Sequence, residues 1–217
     1  DQQGLTRKDG IKQYTLGMSL DTDLSSKVKI GGKVNLGHVE SKSGEEDVFG
    51  FLTVNSSIAK ARPDLPVYDD NGQFLGQSDY ANGFETFEPN PLMRLQNKTN
   101  DKSYNFIGNA YIEIEPLKNL KVKGDVNTAV FYSDNSSFIP KITQTDFVFF
   151  PHESFLSESS SLVSNVTTNL TANYNVTLSN HRLNFLLGAA WDRTHFDLTS
   201  QFYSGFPDDD ILINGSS

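Results

Sequence analysis

Hydrophobic and polar residues alternate in six segments of this 217-residue chain. The clearest is 162–176, which has hydrophobic side chains on one side and an Asn/Thr ladder on the other. The hydrophobic side consists of Leu162, Val166, Leu170, Ala172, Tyr174 and Val176, and the polar side of Asn165, Thr167, Asn169, Thr171, Asn173 and Asn175. Period-two alternation places successive side chains on opposite faces of a β-strand, and helical spacing fits none of the six segments. The pattern predicts an all-β protein.

The other five segments share this alternation. Their hydrophobic sides are Tyr14, Leu16, Met18 and Leu20; Val28, Ile30, Val34 and Leu36; Tyr104, Phe106, Ala110, Ile112 and Ile114; Leu120, Val122, Val126, Val130 and Tyr132; and Leu183, Phe185, Leu187, Ala189 and Trp191. Every run reaches the roughly 9–11 residues that a tilted strand needs to cross a bilayer, whereas soluble strands average about 5–6. Tyrosine or tryptophan stands near the ends of several runs, as in the interfacial girdles of membrane barrels. The lengths favour transmembrane strands.

Short turns and long polar loops alternate between the segments. The turns are predicted at 24–27, 116–119 and 178–181, and the loops from about Glu40 to Lys102, from about Ser133 to Ser159 and from near Leu198. This sidedness is typical of outer-membrane barrels, which have short periplasmic turns and long extracellular loops. Six strands cannot close a membrane barrel, because the smallest have about eight and an open edge in lipid leaves backbone groups unpaired. We therefore expect residues 1–217 to be a segment of a single large antiparallel transmembrane β-barrel domain, with about six strands in three hairpins.

Composition agrees with a barrel and removes other classes of protein. The chain is 36% hydrophobic with no long apolar run, which excludes a transmembrane helix but not barrel strands, half of whose residues are polar. It lacks cysteine, so disulfide scaffolds and thiolate metal sites are excluded, and its net charge of -9 argues against nucleic-acid binding. The first residues contain neither an initiator methionine nor a signal peptide, and we expect the chain to be an internal piece of a longer protein.

Candidate catalytic chemistry is weak throughout the sequence. His38, His152, His181 and His195 lack metal-site spacing, and no nucleophile elbow or phosphate loop is present. Glu113 and Glu115 share one strand face about 7 Å apart, a separation within the range of glycosidase carboxylate pairs. They precede a turn, however, so a solvated pair is the preferred interpretation. The sequence predicts no enzyme, no cofactor and no metal site.

Acidic loops and Asn-x-Ser/Thr sequons have simple explanations. Asp69-Asp70-Asn71-Gly72 and Asp208-Asp209-Asp210 supply oxygens of the kind that hold Ca²⁺; a turn and a solvated loop are the preferred interpretations. The sequons include Asn97, Asn135, Asn165, Asn169 and Asn175, and the last three belong to the Asn/Thr ladder. A hydrogen-bonding ladder accounts for them without glycosylation.

Three passages resemble a known family. Residues 61–72, "ARPDLPVYDDNG", followed by Asn90-Pro91, are similar to a loop of SusC/RagA-type TonB-dependent transporters, in which "P-x-Y-D-x-x-G" precedes an Asn-Pro pair. The hairpin 109–127, "NAYIEIEPLKNLKVKGDVN", resembles the family's "Y-x-E", turn and "L-K-x-K". Residues 173–192 resemble its "H-x-L-x-x-L-x-G" strand. No single motif is specific for this family, but the order and spacing of the three passages are fairly specific for it.

The resemblance implies a wall segment of a large plugged barrel in the outer membrane of a Gram-negative bacterium. It further implies import of glycans, oligosaccharides or peptides, a SusD-like surface lipoprotein as lid, and energy from the TonB complex. The plug and the TonB box are absent from this chain, so TonB would act through another part of the protein. The alternatives are a soluble all-β carbohydrate-binding module of a cell-surface protein and, last, a β-structured glycosidase.

The sequence identifies no substrate-binding residue. Polar side chains expected to line the barrel interior are Lys29, Lys33, Asn109, Asp125, Asn127 and the Asn165–Asn175 ladder. Loop aromatics are the more favoured contacts for ligand or lid: Tyr68, Phe74, Tyr80, Phe84, Phe87 and Phe147 to Phe150. Both sets are expectations about surfaces rather than defined sites.

The predicted facing can be tested at two neighbouring positions. Leu170→Arg should impair membrane insertion by about 2–4 kcal/mol, because the arginine would face mid-bilayer lipid. Asn169→Arg should be tolerated, because that side chain points to the wet interior. Insertion of the full-length protein into lipid vesicles measures both, and equal effects at the two positions would refute the assignment.

Overall fold

The computed structural model describes residues 2–3, 9–43, 58–59, 64, 66–75, 90–141 and 153–207. Seven strands run in chain order: β1 (Gln2–Gln3), β2 (Gly10–Ser25), β3 (Val28–Ser43), β4 (Lys98–Leu117), β5 (Leu120–Ile139), β6 (Phe155–Leu178) and β7 (His181–Ser204). The short helix α1 covers Pro91–Arg94. All strands form one antiparallel sheet in the order β1 to β7. The predicted all-β segment of a barrel, with six long strands in three hairpins, is confirmed.

The turns are tighter and the strands longer than predicted. Two residues close each hairpin, and Asn119 and Ser179 adopt positive φ angles of 66° and 53°, as tight hairpin turns require. On the loop side, β3 continues to Ser43, β4 begins at Lys98 and β6 begins at Phe155. Likewise, β5 continues to Ile139 and β7 to Ser204. The predicted loop boundaries near Glu40, Lys102, Ser133, Ser159 and Leu198 were therefore wrong, because backbone pairing continues where hydrophobic alternation fades.

One face of the sheet, here the apolar face, carries the predicted hydrophobic residues in continuous rows. For example, Leu16 lies opposite Leu36, which lies opposite Phe106, which lies opposite Val130. These side chains are uncovered: Leu20 is 64% exposed and Leu170 56% exposed. Exposed rows of this size are strongly unfavourable in water. The opposite side, here the polar face, carries the Asn/Thr ladder.

The stagger of the turns indicates strongly tilted strands. The Ser25–Val28 pair at the first turn shares a register row with Leu187, yet β7 begins at His181, six residues earlier. Over the four steps from β3 to β7, the turns therefore descend about one and a half residues per strand. With about 3.4 Å per residue and about 4.8 Å between strands, turns at one level imply a tilt of about 45°. Membrane barrels have tilts of about this size.

Aromatic rings on the apolar face form a belt at a constant distance from the turns. This aromatic belt consists of Tyr14, His38, Tyr104, Tyr132 and Trp191, which lie 11, 10, 13, 12 and 10 residues from the turn-side ends of their strands. Ten residues at this tilt span about 25 Å, the height of the apolar band of an outer-membrane barrel. Tyr174 and Phe185, which lie opposite each other, are four residues from the turn-side ends of β6 and β7 and therefore lie within this band, on its turn side.

The buried hydrophobic side chains of the described residues lie beyond the belt, near the loops. They are Phe138, Ile139 and Leu156, at the ends of β5 and β6. Phe206 packs edge-on against Phe138 with ring centroids 5.6 Å apart. In the described part of the chain no second sheet covers the apolar face, which differs from a soluble β-sandwich.

A glycine on β3 makes room for a hydrogen bond that crosses a whole strand. Asp21 on β2 and Tyr111 on β4 both lie opposite Gly31. The Tyr111 hydroxyl donates a hydrogen bond to Asp21 Oδ1 at 2.6 Å. A Cβ atom at position 31 would collide with the tyrosine ring and the carboxylate. Glycine is therefore required at position 31, so that the Tyr111 ring can cross β3 and reach Asp21. Aromatic rings often cover glycines in β-strands in this way.

Gly31→Ala should destabilise the barrel by about 1–3 kcal/mol, the usual cost of overpacking. The measurement is the unfolding midpoint of the full-length protein in detergent. Gly188→Ala is the control on the same face, where the nearest atom to a new Cβ is 3.6 Å away. The cost of Gly31→Ala should shrink in a Tyr111→Ala background, and unchanged cost there would contradict the steric explanation.

Candidate functional site

A hydrogen-bonded network of amides and carboxylates covers the polar face at the depth of the apolar band. Asp125 Oδ2 accepts hydrogen bonds from Asn127 Nδ2 at 2.7 Å and Asn169 Nδ2 at 2.9 Å. Asn109 Nδ2 donates to Asn127 Oδ1 at 2.7 Å. The network links β4, β5 and β6, so these predicted interior residues are brought together. Satisfied donors and acceptors make a rigid, wettable wall.

The Asn/Thr ladder extends the network to β7. Thr167 Oγ1 donates to Asp192 Oδ1 at 2.6 Å, and Thr194 Oγ1 donates to Asn165 Oδ1 at 2.8 Å. Nearer the turn, Asn184 Nδ2 donates to Asn175 Oδ1 at 2.6 Å. The same Asn184 Nδ2 group also lies 3.2 Å from Asn173 Oδ1. Four members of the ladder therefore contact β7 side chains, which gives this pattern a structural role.

On the polar face, two ion pairs lie near the turns. Lys29 pairs with Asp23 at 3.4 Å, and Lys121 pairs with Glu113 at 3.2 Å. Glu115 accepts a hydrogen bond from the Asn119 backbone N–H at 3.1 Å. The two glutamates considered for catalysis thus contact different partners. These pairs are largely exposed and contribute little stability.

Lys33 lies one strand away from the amide network. Its register partners are Ser19 on β2 and Asn109 on β4. It therefore faces the same side as the network, in agreement with its predicted place on the interior wall.

Sequence reasoning missed an apolar patch on the polar face. Phe131 lies opposite Val163, which lies opposite Phe196, and the two phenylalanines are 44% and 60% exposed. Alternation could have revealed them, because Phe131 is in phase with Asp125 and Asn127 on β5, and Phe196 with Asp192 and Thr194 on β7. Phe131 is level with the aromatic belt, so the patch lies nearer the loops than the amide network.

Asp101 on β4 lies still nearer the loops on the polar face. Partial burial raises the pKa of its carboxyl group above its usual value.

The loop after β3 contains a small hairpin stabilised by an aspartate. Tyr68 and Phe74 form an antiparallel bridge with ring centroids 4.9 Å apart. Asp69 Oδ1 accepts hydrogen bonds from the backbone N–H groups of Asn71 and Gln73 at 2.9 and 2.7 Å. Gly72 has a φ of 78°. The carboxylate therefore closes a turn, as the simpler interpretation of this acidic segment predicted.

Asn90 joins this hairpin to helix α1. Its Nδ2 group donates to the carbonyl oxygens of Val67 and Leu75, both at 3.1 Å. Its Oδ1 accepts from the Leu92 backbone N–H at 3.1 Å. Asn90 is thus the N-cap of a helix with Pro91 in the first position, a favoured combination. The two loop motifs behind the family resemblance form one structural unit.

Several predicted loop residues lie outside the described residues. They are Tyr80, Phe84, Phe87, Phe147 to Phe150, His152 and Asp208 to Asp210. Within the described residues, no group of three or more His, Asp or Glu side chains is arranged to hold a metal ion. The same residues contain no helix with the length and hydropathy of a membrane span.

Asn90→Asp should detach the hairpin from α1 while keeping the cap. The aspartate retains an acceptor for Leu92 but loses both donated hydrogen bonds, each worth about 1 kcal/mol. Hydrogen exchange of Val67 to Leu75 in the full-length protein should become faster. Asn90→Ala, which also removes the cap, should in addition speed exchange at Leu92. If the hairpin exchanges at the original rate in both variants, Asn90 does not hold it.

Comparison with known proteins supports this architecture. No known family profile matches the chain. In sequence it is 24% identical, over 225 residues, to a protein named TonB-dependent receptor P26 from Formosa agariphila. The alignment covers 100% of this chain and 21% of that protein.

Solved structures give the same result for the fold. The RagAB peptide importer in its closed-closed state matches with a TM-score of 0.68 at 17% identity, covering 96% of this chain and 23% of that one. Its open-open state matches with a TM-score of 0.69 at 16% identity, with the same coverage. The chain thus spans between a fifth and a quarter of the length of these proteins. None of these names describes an enzyme. The predicted resemblance is confirmed: this chain has the fold of a barrel segment of a SusC/RagA-type TonB-dependent transporter.

Proposed function

We propose that the chain forms part of the wall of a TonB-dependent transporter in the outer membrane of a Gram-negative bacterium. The apolar face is the observation that carries the proposal. It is uncovered, and the aromatic belt borders it about 25 Å from the turn-side ends of the strands, the height of the apolar band of an outer-membrane barrel. A soluble carbohydrate-binding module would leave these rows in water, so the membrane assignment is favoured.

The polar face supports a passage for hydrophilic cargo. Its amides, hydroxyls and carboxylates bond to one another, and Asp125 and Asp192 accept hydrogen bonds from neutral side chains. Such a wall provides many weak sites and no single tight one, which favours movement over retention. The cargo would be glycans, oligosaccharides or peptides; a wall of this kind suits any of them.

The loop end supports a partner outside the membrane. The hairpin of Tyr68 and Phe74 is held in place by Asn90, which provides a preformed surface. A SusD-like lipoprotein would cover this end as the lid. The RagAB neighbours pair a SusC-type protein with a surface lipoprotein, and we extend that arrangement to this chain.

Residues 1–217 would all belong to one barrel domain. The remaining strands, the plug and the segment that meets TonB would be supplied by other parts of the same polypeptide. The free edges support this arrangement: among the described residues β7 pairs only with β6, and β2 meets only two residues of β1 on its outer side. Unpaired edges in lipid cost several kcal/mol per group.

Uptake by cells that contain the full-length protein tests the proposal. Accumulation of labelled oligosaccharides or oligopeptides should fall about tenfold or more when the gene, TonB or the associated lipoprotein is removed, because import would need all three. An epitope inserted between Asp70 and Asn71 should stain on intact cells and so confirm assembly. If the tagged protein stains on intact parent cells and cargo uptake is unchanged in all three deletions, the transport proposal is overturned.

A further inference from the structure

Four lysines lie on the apolar-face side of the sheet, just beyond the aromatic belt toward the loops. This basic rim consists of Lys12 on β2, Lys42 on β3, and Lys98 and Lys102 on β4. On β2 to β5, the carboxylates beyond the belt on the same side are Glu40 and Asp134; Glu158 on β6 and Asp197 on β7 share this side but lie farther along the sheet. On β2 to β5 the rim therefore carries an excess of positive charge in a chain whose net charge is -9.

Glu40 lies at the centre of the rim. It is directly opposite Lys12 on one side and Lys102 on the other. Lys42 Nζ lies 3.3 Å from Glu40 Oε1. This hydrogen bond, together with the positive charges of Lys12 and Lys102, lowers the pKa of Glu40 below its usual value. Three of the lysines, Lys12, Lys42 and Lys102, therefore interact with the same carboxylate.

A row of cross-strand pairs alone would explain part of the pattern. Lys12, Glu40, Lys102 and Asp134 alternate in sign along one register row, and such pairs offset one another. Lys42 and Lys98 lie beyond this row and add two positive charges. The Lys42 side chain is 61% exposed. After the lysines have paired with the neighbouring carboxylates, the rim therefore keeps a positive charge that can attract an external anion.

Directly below the rim, the rings of the aromatic belt form a continuous shelf. Tyr14 and His38 stack at 6.2 Å, His38 and Tyr104 at 4.4 Å, and Tyr104 and Tyr132 lie 6.1 Å apart. A depression of about 410 Å³ opens here and continues over Leu16, Leu36 and Phe106. It leads from the ring level into the apolar band.

Rim, shelf and depression match the three parts of a phosphorylated membrane lipid. We propose that this surface binds a phosphorylated lipid of the outer leaflet, an inference that rests on the proposed membrane location. The lysine ammonium groups bind the phosphate groups, as basic residues near a membrane surface bind anionic lipid headgroups. The rings receive the sugar or glycerol part, and the acyl chains follow Leu16, Leu36 and Phe106.

The full-length protein, delipidated in detergent, is titrated with bisphosphorylated lipid A and the bound lipid is counted by native mass spectrometry. Replacing all four rim lysines by glutamine should weaken binding about tenfold or more, because each lysine adds attraction for the phosphates. Replacing them by arginine should keep the affinity. Removal of the phosphates from the lipid should weaken binding to the wild type by a similar factor.

Lys29→Gln, Lys33→Gln and Lys121→Gln together form the matched control, because these lysines lie on the polar face. That variant should bind lipid A like the wild type. Equal binding by the rim variant and the wild type would overturn the inference, as would full displacement of lipid A by inorganic phosphate, which would indicate a free-anion site. Vesicle insertion of the same samples separates the two proposals: a wild type that fails to insert contradicts the membrane location, whereas insertion without rim-dependent binding contradicts only the lipid site.

Discussion

The structure depends on the pairing of backbone amides and carbonyls where no water can reach them. From β2 to β7 each neighbouring pair of strands forms a long antiparallel ladder, and the last pair matches all 24 residues of each strand. In lipid an unpaired backbone group costs several kcal/mol, so the ladders must be continuous across the apolar band. Because the backbone pairing does not depend on the side chains, one sheet can carry apolar side chains on one face and polar side chains on the other.

The faces and turns were predictable because they depend on local pattern. Period two needs only neighbouring residues, and it placed Leu170 and Asn169 on opposite sides as the register has them. The extension of β6 to Phe155 was not predictable. Residues 157–161 are Ser-Glu-Ser-Ser-Ser, so neither face has a hydrophobic signal there, although the backbone continues to pair.

The candidate site was predictable only in part, because the face on which a side chain lies depends on local alternation, whereas most of its contacts depend on pairing between distant segments. Asn109, Asp125 and Asn127 could be assigned to the interior by alternation. The hydrogen bonds that join β5 to β4 and β6 could not be predicted, because they depend on cross-strand register. The contacts of Asn90 with Val67 and Leu75 join segments 23 and 15 residues apart. Only the Asn-Pro cap was visible locally. Phe131 was overlooked because its two immediate neighbours, Val130 and Tyr132, belong to the apolar face.

The tilt of the strands explains why hydrophobicity does not follow the register rows. Leu16, Leu36, Phe106 and Val130 share one row, which continues to Ser164 and His195. At a tilt of about 45° a row climbs about 3 Å per strand relative to the membrane, so on β7 it emerges beyond the belt. Trp191 marks the crossing, and His195, which pairs with Asp197 at 2.6 Å, lies outside. In a soluble sheet packed on a core, the whole row would be expected to stay apolar. The polarity of β7 therefore reflects height in a bilayer, a constraint that acts on the assembled barrel and not on any single strand.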